Sequence, residues 1–345
     1  QEQVARAAAD ARLDFVIVGD HPPDDRKPGW ELWDPAYLEG VFLEGGQELR
    51  APEAGKVLAM GVDTTYRQWD GSYRSFVGML MREEATAFVV HGRGPRRSEF
   101  WVHPSTLGVQ GWEVLDVSET ARARLRGPWG PYHALTLVLG MPMGLGDQAL
   151  LHLLRDGFDT PAARAYDSLR LGGPLVATAG LNVHPKLKLG ALLLPSYGPF
   201  FRTLVGHVAV RDTLPQDPLG ARAYLAEAFQ AGDLFLSAGR TEVARAFRFA
   251  ATTGGVVVAR PGADQPPAGR MLLRAGFETG PGVNLLYRVL RNGKEMEWVL
   301  GPELEWEVPY PGFYRVEVHT YAARMGNTFL RMRPWIFSNP IYVRR

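Results

Sequence analysis

Over the first two thirds of the chain, short apolar runs alternate with stretches of helical spacing. Continuous β-branched and apolar runs occur at DFVIVGDH (14–21), KVLAMGVD (56–63), TAFVVHG (86–92), GWEVLDVS (111–118) and PLVATAGLNVH (174–184). Runs of this length, ended by polar or turn residues, predict strands buried on both faces. Between them, residues 73–84, 147–154 and 160–169 have the spacing of helices, as does ARAYLAEAFQAG at 221–232. Strand then helix, repeated, predicts a parallel sheet or barrel.

After Gly239 the period shortens to two. ARAFRFAAT, GVVVAR, GRMLLRAGF, NLLYRVLRNGKEMEWVL, LEWEV, GFYRVEVHTYA and NPIYVRR are short alternating segments separated by Gly, Pro and Asn. Arg291-Asn292-Gly293-Lys294 predicts a two-residue hairpin, because Asn-Gly supplies the positive φ angles of a type I′ turn. A β-sandwich of about a hundred residues follows from this pattern. At 345 residues the chain exceeds the size at which one core stops growing, so two domains are expected, an α/β barrel over 1–239 and a β-sandwich over 240–345.

The ends of the predicted strands carry the chemistry. Asp20 and His21, Asp63, His91, Glu113 and Asp116, and Asn182 and His184 all fall in or at the C-terminal ends of the apolar runs. Barrel enzymes build their sites at that end. Five strands each delivering a metal-capable side chain carry more weight together than any one histidine after an apolar run.

Composition narrows the chemistry. With 38 basic and 37 acidic residues the net charge is +1, which offers no field for a phosphate backbone, so nucleic acid is not an expected partner. The short clusters Arg93/Arg96/Arg97 and Arg122/Arg124/Arg126 read as solvated loops. There is no cysteine, so any metal must be held by His, Asp, Glu or Asn. No apolar run reaches the roughly 18 residues of a membrane span. Of the nine tryptophans, Trp30, Trp33, Trp69, Trp101, Trp112 and Trp129 crowd the predicted loops, either buried beneath them or forming a mouth that takes an organic ligand or a protein partner.

In order and spacing, these segments resemble the PHP (polymerase and histidinol phosphatase) superfamily, and within it the CehA-like branch with a C-terminal β domain. ARLDFVIVGDH resembles the family's helix, strand and Asp-His segment; VLAMGVDTT is similar to its strand ending in a bridging Glu, and AFVVHG to its Ala-His-Pro strand. GWEVLDVS resembles the Gly-x-Glu-Val strand, ATAGLNVH the Gly-Ser-Asp-x-His strand, and PWIFSNPIYV the closing strand of the β domain.

The resemblance implies a distorted (β/α)7 barrel and a cluster of divalent ions, zinc, manganese or iron, activating hydroxide against a phosphoester. Carried across by position, it assigns His21, His91 and His184 as ligands, with Asp20 beside His21, Asp63 in place of the bridging Glu, Glu113 as an acceptor and Asn182 in place of a ligand Asp. The chain departs from the pattern at Asp63, Gly92 and Asn182. The opening helix EQVARAAADARL also has no strand ahead of it, so the family's first-strand His-x-His is expected either upstream of Gln1 or lost.

Two functions follow as expectations. One is a metal-dependent phosphoesterase acting on a small phosphoester or organic ligand. The other is a non-catalytic scaffold with an emptied site, binding a protein, glycan or envelope component through its mouth or β domain. The CehA-like likeness and the Cys-free, Trp-rich composition point to an exported or envelope location.

Overall fold

The computed structural model describes residues 1–21, 32–66, 69, 71–91, 101–102, 108–141, 143–155, 157–169, 174–183, 187–189, 192–194, 196–209, 213–266, 269–326 and 328–344. The first part comprises α1 (Glu2–Asp10), β1 (Phe15–Asp20), β2 (Ala36–Leu38), β3 (Val41–Ala51), β4 (Gly55–Met60), α2 (Tyr73–Arg82), β5 (Thr86–Val90), β6 (Gly111–Asp116), α3 (Val117–Arg126), α4 (Gly130–Gly140), α5 (Gly146–Leu153), α6 (Pro161–Leu169) and β7 (Val176–Gly180). Then follow β8 (Leu187–Leu189), β9 (Leu192–Leu194), α7 (Tyr197–Thr203), β10 (Leu204–Val208), α8 (Pro218–Ala231), β11 (Leu234–Ala238) and α9 (Thr241–Ala244). The remainder is β12 (Phe247–Thr253), β13 (Val256–Ala259), β14 (Asp264–Gln265), β15 (Met271–Phe277), β16 (Asn284–Arg291), β17 (Lys294–Leu300), β18 (Leu304–Glu307), β19 (Gly312–Tyr321), β20 (Ala323–Met325), β21 (Thr328–Leu330), β22 (Arg333–Ser338) and β23 (Ile341–Val343).

The first sheet runs β1-β3-β4-β5-β6-β7, with β2 beside β3, and is open, since β1 and β7 lie at its two ends. β1 pairs parallel with β3, and β5, β6 and β7 pair parallel with one another, but β4 is antiparallel to both β3 and β5. The sheet is therefore mixed, unlike the parallel sheet expected, and β4 is the reversed member of the main path.

β3 was not among the predicted strands, because Gly45-Gly46 reads as a turn. Both glycines are there for close approach. A Cβ on Gly45 would lie 2.2 Å from the Trp33 carbonyl oxygen, and one on Gly46 2.9 Å from Leu58 Cδ1. On one face of the sheet Val57, Val89, Trp112 and Ala177 pack with Phe76, Leu153 and Tyr166 of α2, α5 and α6. On the other, Phe42, Met60, Phe88 and Val176 meet Ala221, Leu225 and Phe229 of α8. The helix starts at Asp217, which accepts from the Gly220 N–H, and stops at Gly232 with φ 72°.

Two larger sheets and the β20-β21 ribbon form the β part. One is ordered β10-β11-β22-β19-β16-β17, with β23 and β14 alongside; the other is β13-β12-β15-β18. Phe249, Leu273 and Ala275 of the smaller sheet share one core with Tyr287, Val289, Val316, Val318 and Ile336 of the larger. Asn292 and Gly293 have φ of 52° and 75°, so the Asn-Gly hairpin forms as expected, joining β16 to β17 with Arg291 opposite Lys294. The larger sheet also takes in β10 and β11, so it crosses residue 239.

Polar side chains join the two parts. Asn339 accepts the Ala177 N–H at 2.7 Å, donates to the Ala177 carbonyl at 3.2 Å, and has the Tyr166 hydroxyl 2.9 Å from its Oδ1. Arg315 on β19 grips Asp167 of α6 with Nε–Oδ1 3.0 Å and Nη2–Oδ2 2.7 Å, and its third nitrogen meets Glu317 at 2.5 Å. Arg288 holds the other Glu317 oxygen at 3.0 Å.

His207 on β10 shares a 2.8 Å hydrogen bond with the Ser237 hydroxyl and stacks on Phe235 at 4.6 Å. Burial, helped by the Arg245 cation, pushes its pKa down to about 4. Since the folded value lies below that of a free imidazole, the stability from keeping the ring neutral is complete above pH ~6.5 and is lost as the pH falls toward the folded value. Urea unfolding should lose up to about 3 kcal/mol over this window. His207→Gln should flatten the curve there; coincident curves for the two proteins would refute the assignment.

Candidate metal centre

Strand direction decides which polar ends meet. β1, β3, β5, β6 and β7 point the same way, so their C-terminal ends share one edge of the sheet, where Lys56 at the start of β4 lies opposite Val90 at the end of β5. His91 leaves β5 at φ 54°, which swings its ring across the edge toward β6 and β3.

Four carboxylates face that ring. His91 Nδ1 stands 3.3 Å from Glu119 Oε1, 3.4 Å from Asp116 Oδ2 and 3.9 Å from Glu113 Oε1, while Nε2 stands 3.7 Å from Glu48 Oε2. One donor atom each from His91, Asp116 and Glu119 lies within 4.8 Å of the others. His91 Nδ1 is buried and makes no hydrogen bond of good geometry in spite of this company. A cation held between three such atoms would satisfy them together.

Local chemistry builds the arrangement. Asp116 ends β6 and caps α3: its Oδ1 accepts the Glu119 N–H at 2.8 Å, turning Oδ2 toward His91. Glu119 lies in the first turn of α3, three residues after this cap, which brings its carboxylate to His91. Ser118 bonds the Leu181 carbonyl at 2.8 Å and fixes the segment carrying Asn182. Glu113 Oε1 accepts the His91 N–H at 3.3 Å, and glycine is required at 180 because a Cβ there would lie 2.1 Å from Glu113 Oε2.

The charges are poorly balanced. Burial pushes the Glu113 carboxyl well up, and the neighbouring Asp116 adds to the effect. Burial opposes the charged form of His91 as well, but Asp116, Glu119, Glu48 and Glu113 outweigh it and drive its pKa up to about 12. Glu48, also pushed up by burial, is pulled down to about 2 by His91 and by Lys56, whose Nζ is 2.6 Å away. A buried site that crowds carboxylates around one imidazole, disfavouring the charge on Glu113 and favouring it on His91, is suited to a divalent cation, bound by neutral imidazole and carboxylate oxygens.

Of the residues expected from sequence, His91, Glu113, Asp116 and Asn182 come together here. Asn182, at φ 46°, donates to Asp116 Oδ2 at 3.2 Å. His21 lies on the margin, half exposed, with Nδ1 3.6 Å from Glu48. Asp20 accepts the His21 N–H at 3.1 Å and has no contact with His91 in the cluster. Asp63 lies elsewhere: it is exposed and paired with Arg222 at 2.8 Å, beside Glu44. β4 runs backward, so its C-terminal end falls at the opposite edge, which corrects the bridging role expected for Asp63. His184 lies outside the described residues. Glu48 and Glu119 were not foreseen.

No protein-family model matches the chain. No curated protein matches it either. Among solved structures, the PmoD soluble domain from Methylocystis sp. ATCC 49242 (Rockwell) aligns at 11% identity and TM-score 0.20, over 28% of this chain and 90% of that one. The endo-beta-1,4-mannanase from Thermotoga petrophila aligns at 11% identity and TM-score 0.16, over 72% of this chain and 46% of that one. Scores this low carry no argument about fold or activity, and the centre rests on its own geometry.

Proposed function

We propose that the chain holds a divalent cation through His91, Asp116 and Glu119, in a PHP-like fold built for metal-dependent hydrolysis of a phosphoester. The buried Nδ1 of His91, facing three carboxylates without a hydrogen bond of good geometry, is the observation that carries this reading. A bound cation would supply Lewis acidity and an activated water. The chain's own groups set the donors in place: Asp116 is oriented by the α3 cap, Glu119 by the first turn, and His91 by Glu48 beside its Nε2. The mixture of one imidazole with carboxylates favours manganese, iron or zinc over calcium.

A second reading, cation binding without hydrolysis, is favoured by one feature. Asp63 turns away to Arg222, so the described residues offer no second cluster for a paired ion. Calorimetric titration of metal-free protein with Mn2+ and Zn2+ separates the outcomes, alongside hydrolysis of bis(p-nitrophenyl) phosphate. We expect one ion per chain. Stoichiometric binding without hydrolysis selects the scaffold reading, and no binding up to millimolar metal rejects both.

A further inference from the structure

The segment between Glu119 and Asp147 contains no acidic residue, carries Arg122, Arg124 and Arg126, and includes α4, whose sequence GPYHALTLVLG is apolar all round. A helix of that kind belongs in a core or against a lipid phase. In the structure only one side of it is covered. His133 and Gly140 are buried, and Leu137 and Met141 pack on the first core. The opposite side and its flanks leave Trp129 (68%), Tyr132 (53%), Leu135 (56%), Val138 (68%), Leu139 (53%) and Met143 (69%) exposed.

Charge adjoins this patch. Arg126 ends α3 and directly precedes the tight turn that carries Trp129, closed by the Gly130 N–H to the Gly127 carbonyl at 2.9 Å, and Arg122 lies one helical turn earlier, exposed. The surface is therefore apolar at its centre, with Trp and Tyr among its exposed aromatics and arginine at its edge. Aromatic rings at an interface and guanidinium groups beside it suit an anionic phospholipid surface, where the rings settle at headgroup depth and the arginines meet phosphate. A second copy of the chain is a poorer fit. A two-fold contact through this face would present the same acid-free segment of the second copy, which offers Arg122 and Arg126 no carboxylate.

We propose that the α3–α4 surface docks the protein peripherally on anionic phospholipid membranes, with α4 lying in the interface plane. Its 11 residues span about 16 Å, short of the roughly 30 Å hydrocarbon core. Among the described residues no helix is long and apolar enough to cross a membrane. The surface is independent of the metal reading, though α3 carries Glu119 in its first turn and would hold the candidate centre close to the bilayer.

Co-sedimentation of the full chain tests this, with vesicles of phosphatidylcholine alone and of an equimolar mixture with phosphatidylglycerol. The chain should bind the mixed vesicles, bind the neutral ones far less, and release as salt rises. Leu135→Asp with Val138→Asp, and separately Arg122→Glu with Arg126→Glu, should each cut the bound fraction about tenfold or more. All four positions are exposed, and unchanged circular dichroism confirms that the fold is kept. As a readout on the native surface, brominated lipid should quench Trp fluorescence in the parent and less in Trp129→Phe. The proposal is overturned by absence of binding to the mixed vesicles at low salt, or by equal binding of the parent and the Asp variant. It is also overturned by a dimer in analytical ultracentrifugation that the Asp variant dissolves, which would assign the face to a second copy.

Discussion

Arg315→Met should lower the free energy of unfolding by about 3 to 5 kcal/mol, the cost of removing one member of a buried ion network. Arg315 is 3% exposed, its partners Asp167 and Glu317 are 9% and 2% exposed, and its guanidinium carbon sits 4.3 Å from the Phe337 ring centre. Burial opposes its charge, yet Glu317 and Asp167 outweigh that and hold its pKa above the ordinary arginine range. The replacement keeps most of the packing volume but strands the Asp167 carboxylate, which then has no cation among the contacts described. Glu317 keeps Arg288, at 3.0 Å. The double variant Asp167→Leu/Arg315→Met should therefore recover much of the loss, since it removes the stranded charge as well as the cation. Urea midpoints at pH 7 with an unchanged slope measure both effects. A loss below about 1 kcal/mol for Arg315→Met would show that water reaches the network.

Asp116→Asn should weaken divalent-metal affinity by about 100-fold or more while leaving the fold nearly as stable. The amide is isosteric and caps helices as well as the carboxylate does, so the bond to the Glu119 N–H survives. What is lost is the anionic oxygen that stands 3.4 Å from His91 Nδ1 and accepts the Asn182 amide. Stability and binding thus come apart in one variant. Calorimetric titration with Mn2+, beside thermal unfolding of the metal-free protein, reads the two separately. If Asp116→Asn binds as tightly as the parent, Asp116 is a cap and the ion, if any, lies elsewhere.

Much of the architecture was legible from period and punctuation. The runs around β1, β5, β6 and β7, the helices α2, α5, α6 and α8, and the Asn-Gly hairpin all lie where their spacing places them. Two features escaped for physical reasons. Gly45-Gly46 has the look of a turn, yet the pair sits mid-strand because the Trp33 backbone and the Leu58 side chain press on it. Missing β3 meant missing that β4 is reversed, so Asp63 was assigned to the wrong edge. Strand direction depends on pairing partners far away in sequence, which a local apolar run does not encode. The Arg122–Arg126 segment was taken for loop because the cluster is short and flanked by Gly and Pro, while the N-cap of its helix, Asp116, lies inside what reads as a strand end. That cap, three residues ahead of Glu119, was the available signal for it. For Glu48 the parity with Glu44 along β3 would have served, had the strand been seen.

The order of strands in the larger sheet bears on how the protein is made. β22 sits between β11 and β19, so residues 333–338 lie at the centre of a sheet whose neighbours on both sides are synthesised earlier, β11 by about a hundred residues. Until those residues leave the ribosome, Phe235–Ser237 and Glu317–Thr320 each present an unpaired strand edge, and Asn339 has yet to reach Ala177. Long-range pairing of this kind is slow, and exposed edges are where nascent chains associate wrongly. The first sheet and the β part therefore complete their junction together and late, and holding the chain soluble over that interval falls to whatever covers these edges during synthesis.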